Sequence, residues 1–129
     1  MCQSHGHGHR HGSCRCAASI ERFMQPCLLL LLRRRPTHGY ELMRYLEEFG
    51  FSGEDLDPGT VYRNLRRLEE EGLVSSRWDT SGGGPARRLY RLTPEGEEML
   101  AAWVEVIKRQ KSRLELFLQK YQEEFGRLE

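Results

Sequence analysis

The 129-residue chain has no long hydrophobic run. Its most apolar stretch, CLLLLL at 27–32, is far short of the ~20 apolar residues that a membrane span needs. RRRP follows it where a secretory leader would place small residues, so the expectation is a cytoplasmic protein with no membrane partner. Cysteine is scarce, with only Cys2, Cys14, Cys16 and Cys27, and in a reducing compartment these argue for thiols or metal ligands over a disulfide framework. An excess of one charge is also missing: a formal net charge of +1 with 30% charged residues excludes a general polycation. No nucleophile, base and orienting acid recur at recognisable spacing, and paired carboxylates fall only on helix faces expected to be solvated. An enzyme is not expected.

What is present is unevenly placed. Residues 58–94 carry seven arginines against four acids, whereas 95–129 carry six bases against eight acids. A basic patch on one side and an acidic segment on another suit a protein that docks on a phosphate backbone without binding it indiscriminately. The length corresponds to one domain that buries only about two thirds of its unfolded surface, so a dimer interface would add needed apolar burial. The opening MCQSHGHGHRHGSCRC contains no large aliphatic side chain and cannot form a packed core.

Along the chain, Ile20, Phe23, Met24 and Cys27 keep helical spacing into the all-round apolar PCLLLLL. This marks a core helix beginning near Ser19, or at Pro26 as a first helical residue, with Cys27 as a small buried hydrophobe. Thr37 is expected to N-cap a second helix through HGYELMRYLEEFG, burying Tyr40, Leu42, Met43, Leu46 and Phe49 and ending at Gly50. His38 reads as a local hydrogen-bonding residue. After the loop FSGEDLD, Asp57-Pro58 caps a third helix to Gly72, with Val61, Leu65 and Leu68 as its buried stripe. Arg63, Arg66 and Arg67 fall on the opposite face, with Thr60 and Tyr62 near the helix start. LVSSRWD and RRLYRL, joined by TSGGGPA, read as a β-hairpin with Val74 and Trp78 alternating on one strand. SGGGP lacks the ending of a phosphate-binding loop and fits a wing tip better.

Thr93-Pro94 then starts a long helix in which Leu100, Trp103, Ile107, Gln110, Leu114, Phe117, Tyr121 and Leu128 approximate a heptad seam. Such a seam needs a partner chain, and Gln110 is its polar position. The fold class is therefore mainly α with a small β-hairpin: a winged helix-turn-helix at 19–93 preceded by an arm at 1–18 and followed by a dimerisation helix at 94–129.

PTHGYELMRYL, GTVYRNLRRLEEEGLV and GGGPARRLYRLTPEG resemble the signature blocks of PadR-like transcriptional regulators, in the small subfamily with a single carboxy-terminal helix. The resemblance spans roughly residues 24–120. It implies a homodimeric repressor that binds a pseudo-palindromic operator in double-stranded DNA and is relieved by an effector. It also implies Thr60, Tyr62 and Arg63 at the DNA-facing start of the recognition helix, Arg66 one turn later, and Arg87 and Arg88 on the wing.

Plainer assignments compete with some of these roles. Arg66 with Glu70 and Arg67 with Glu71 are spaced for ion pairs of only ~0.2–0.5 kcal/mol, but base before acid is the weaker order and opposes the helix dipole. Trp103 could stack on a small aromatic effector between paired helices, or simply pack in the core. In the arm, alternate spacing puts His5, His7, His9 and His11 on one side of an extended chain, and Cys14 and Cys16 add thiolates, with Cys2 as a further candidate. Nitrogen with soft sulfur suits Zn, Ni, Co or Cu, so the regulator is expected to respond to metal through its arm. A metal buffer on a winged-helix scaffold is the alternative.

Overall fold

The computed structural model describes the backbone of residues 15–126 and the side chains of residues 22–126. Helix α1, Arg15–Arg34, runs through the centre of the core. Met24, Leu28 and Leu29 along it are fully buried, and the helix packs on every other layer of the domain. It starts ahead of both expected positions, and Pro26 lies in its interior, where the ring removes one backbone donor. Burial on nearly all sides outweighs that loss, and the apolar spacing from Ile20 onwards runs unbroken through the proline.

Thr37–His38 form a short strand, β1, followed by α2 at Gly39–Tyr45. Thr37 does not cap α2. It is buried in the sheet with its hydroxyl donating to the Arg35 carbonyl at 2.9 Å, and His38 takes the cap position. After Tyr45 the chain tightens into a 3-10 turn, Leu46–Phe49, which Gly50 ends in the left-handed region at φ 90°. Leu42 and Leu46 are buried and Met43 and Phe49 partly so, but Tyr40 is 43% exposed. A second 3-10 turn, Gly53–Leu56, occupies the loop before α3.

α3, Pro58–Glu70, has the expected start: the Asp57 carboxylate accepts from the Thr60 N–H at 3.1 Å, and Pro58 opens the first turn. Val61, Leu65 and Leu68 are fully buried. The helix ends in a Schellman turn, with Leu73 N–H donating to the Leu68 carbonyl at 2.9 Å and Gly72 N–H to Glu69 at 3.0 Å. Gly72, at φ 78°, turns the chain back into β2, Val74–Asp79, which pairs antiparallel with β3, Arg87–Leu92. β1 adds to the other edge of β3, giving the order β1-β3-β2.

α4, Pro94–Phe125, is capped by the Thr93 hydroxyl, which accepts from Gly96 N–H at 3.0 Å and donates to the Gly72 carbonyl at 2.7 Å. Gly96 is buried against the Leu73 carbonyl and the Leu92 side chain so closely that a β-carbon would overlap both. The first turn of α4 is thereby seated on the base of the wing. Leu100 and Trp103 pack partly on the core, but beyond them the helix carries exposed apolar residues, including Leu114 at 62% and Phe117 at 67%. Among the described residues, no helix is long and apolar enough to cross a membrane.

Candidate nucleic-acid interface

The buried stripe of α3 dictates what its other face presents. With Val61, Leu65 and Leu68 against the core, Tyr62, Arg63, Arg66 and Arg67 are exposed together on the outer side, and Thr60 is half-buried at the helix start. The Arg63 guanidinium donates to the Thr60 hydroxyl at 3.2 Å, tying two of these side chains into one polar group at the helix N-terminus. Tyr62 packs against the start of α2: a β-carbon at Gly39 would stand 2.6 Å from its ring. Gly39 therefore lets α2 and α3 approach and holds the tyrosine at the edge of the exposed surface.

Asn64 occupies the same stripe as Val61 and Leu65, is buried, and is a residue that the apolar pattern alone passes over. Its amide donates to the Thr60 carbonyl at 3.0 Å and lies 3.5 Å from the Met24 sulfur, while the Gln25 amide donates to its oxygen at 3.4 Å. These bonds tie the middle of α3 to α1. Its spacing, three residues after Val61, was the available signal.

Alternation in β3 separates the two wing arginines. Arg87 lies on the outer face beside α2, where it donates to the Tyr40 hydroxyl at 2.8 Å and sits over the Tyr40 ring at 5.2 Å. Arg88 lies on the inner face with Tyr90, its guanidinium 4.8 Å over the Trp78 ring. Trp78 shares a face with buried Val74, yet it is 60% exposed because the wing projects past the core before reaching it. Tyr90 is buried, and burial, opposed by Arg88, raises its hydroxyl pKa above the ordinary value.

His38 is more than a local residue. Its Nδ1 faces the Glu41 carboxylate at 3.3 Å, and its Nε2 faces Asp79 at 2.8 Å across to the end of β2. The other oxygen of Asp79 accepts from the Ser81 hydroxyl at 2.7 Å and its N–H at 3.0 Å. Those bonds, together with His38, hold the Asp79 carboxyl well below the usual carboxylate range. With Tyr40–Arg87, this network fastens the wing to α2.

Trp103 borders two hollows. One, of about 610 Å³ between α1 and α4, is lined by Phe23, Ile107, Gln110 and Leu114. The other, of about 460 Å³, opens beside α3 against Gln25, Arg63, Asn64 and Arg67. Of the expected metal ligands, Cys2, His5, His7, His9, His11 and Cys14 lie outside the described residues, as does the side chain of Cys16. Among the described residues, no three His, Cys, Asp or Glu side chains converge as a metal site.

An N-capped helix with an arginine face, seated between a preceding helix and an anchored hairpin, is the arrangement of a winged helix-turn-helix. The family model of the transcriptional regulator PadR-like family matches residues 28–102. The chain belongs to the PadR-like family. It is 41% identical over 63 residues to the transcriptional regulator Rv3488 of Mycobacterium tuberculosis, covering 49% of this chain and 55% of that protein. The solved structure of TM0937, a potential transcriptional factor, is similar with a TM-score of 0.69 and 31% identity over 94% of this chain and 100% of its own. PadR of Bacillus subtilis, solved in complex with operator DNA, is similar with a TM-score of 0.56 and 28% identity over 64% of this chain and 47% of its own. The chain spans about half the length of the curated relatives it matches. The matched family is one of transcriptional regulators.

Proposed function

We propose that this PadR-like regulator is a homodimeric repressor that binds a pseudo-palindromic operator through α3 and the wing. The observation that carries the reading is the exposed Tyr62, Arg63, Arg66 and Arg67 face on a helix whose opposite side is fully buried. That the Bacillus subtilis relative was solved on operator DNA supports it. Thr60, Tyr62 and Arg63 meet the duplex first, Arg66 and Arg67 follow along the helix, and Arg87 and Arg88 reach the flanking backbone from the wing. Two such helices related by a two-fold axis meet half-sites about one helical turn apart. Replacing Arg63 and Arg66 with Ala should weaken operator binding by about 1–3 kcal/mol and lower the salt slope by about two units. Unchanged affinity and slope in fluorescence anisotropy would remove α3 from the interface.

The same reading includes metal response through the arm. Its support is the run of His5, His7, His9 and His11 with Cys14 and Cys16, which in the sequence leads directly into α1. Cys16 therefore belongs to the helix that packs on both α3 and α4. An ion held by these residues would shift α1 against both. A metal regulates only by binding the DNA-competent and DNA-incompetent states unequally. Titrating Zn, Ni, Co and Cu(I) into the full chain and into one starting at Ala17 distinguishes the cases. The expected result is metal-dependent operator affinity in the full chain alone. Tight metal binding with constant affinity would make the arm a buffer. An equal response in both chains would place the metal sensor outside the arm.

A further inference from the structure

We infer that Trp78 is a positioning residue of the DNA interface, holding the Arg88 guanidinium against the sugar–phosphate backbone of the bound duplex; this rests on the reading of the protein as DNA-binding. Three observations carry the inference. Trp78 is the most exposed aromatic residue of the wing, at 60%, and it is directly paired across the ladder with Arg88. The guanidinium lies 4.8 Å over the ring, so a side chain that ordinarily explores many rotamers is held over one aromatic face. A planar guanidinium stacked on an aromatic face keeps outward N–H donors available for a phosphate.

The third observation is the direction in which the pair faces. Ser76, two residues before Trp78 on the same face, donates to Glu69 of α3 at 2.7 Å. Gly72 has turned the chain back on itself, so β2 returns beside α3, and through Ser76 its inner face meets the same helix that exposes Arg63, Arg66 and Arg67. The acids nearby are engaged elsewhere: Glu69 on Ser76, and Asp79 on the outer face with His38 and Ser81. What remains on the inner face of the distal wing is one aromatic ring and one oriented cation, which complement a polyanion. Contact with the backbone, as opposed to base edges, positions the protein without reading sequence.

The test uses the full chain and two duplexes: one selected from a random library by the wild-type protein, and a shuffled version of it. Trp78→Leu removes no charge, so if the ring only stabilised the hairpin the salt slope would stay as in the wild type. The expected result is about a tenfold loss of affinity for both duplexes and a salt slope lower by about one unit, matching Arg88→Ala. Trp78→Phe should restore most of both, and Trp78→Leu added to Arg88→Ala should cost little more than Arg88→Ala alone. If Trp78→Leu disturbs the wing, Arg88→Lys keeps the charge and the hairpin while losing the planar fork, and should lose affinity by a similar factor while keeping more of the slope. A wild type that binds while Trp78→Leu and Arg88→Lys keep its affinity and slope overturns the positioning role and leaves DNA binding intact. A wild type that binds neither duplex overturns both.

Discussion

His38 and Asp79 are 41 residues apart in the chain and 2.8 Å apart in space. The bond gives the wing an acid-sensitive fastening. Asp79 is held below the ordinary carboxylate range by Ser81 and His38, so its contribution to stability is fully present above the unfolded value of about 3.9. It is lost as pH falls below that toward the folded value. Asp79→Asn keeps the shape and does not titrate. In urea melts its deficit relative to the wild type should shrink as pH falls below about 4. A deficit that stays undiminished down to about pH 2 would assign the Asp79 carboxylate no ionic role. Single residues of this kind were the least legible in the sequence. Cys27 was read correctly as a buried hydrophobe, with burial pushing its thiol up to about 12, because helical spacing alone places it. Tyr40 was misjudged and His38 only partly read because their partners, Arg87 and Asp79, lie 47 and 41 residues downstream on a hairpin that no local periodicity reports.

Among the elements, α3 was fully legible: Asp57-Pro58 starts it, Gly72 ends it, and the stripe between them is strictly helical. β1 was not, since two residues carry no alternation to recognise and the strand exists only because β3 offers it an edge. The start of α1 was obscured by Pro26, which usually opens a helix and here sits in the interior. α4 is the element whose surface demands most explanation. Leu114, Phe117 and Tyr121 are exposed, and the proposed dimer would cover them. Because they touch no core, Leu114→Glu with Phe117→Glu should leave the winged domain folded by circular dichroism. Sedimentation should then report a monomer, and operator affinity should fall by at least about tenfold, since two half-sites would no longer be engaged together. A stable dimer of that variant would place the interface elsewhere.

At the scale of the molecule, fold class and family were legible because three separated blocks, around PTHGY, GTVYRNLRRLEEEG and RRLYRLTPEG, each specify a local structure that agrees with the same architecture. The arginine face followed from the buried stripe by geometry, whereas the inward and outward assignment of Arg87 and Arg88 needed the register of β3 on β2. The seating of Gly96 against the Leu73 carbonyl has a mechanical corollary for a dimer built on α4. A helix of 32 residues is about 48 Å long, and with no play at its root it behaves as the leg of a caliper. Closing or opening the pair by about 5° at the far end displaces the near end by roughly 4 Å, more than the ~3.4 Å between successive base pairs. A change small enough to be made by one side chain beside Trp103 would therefore carry each reading head past a full step of the double helix.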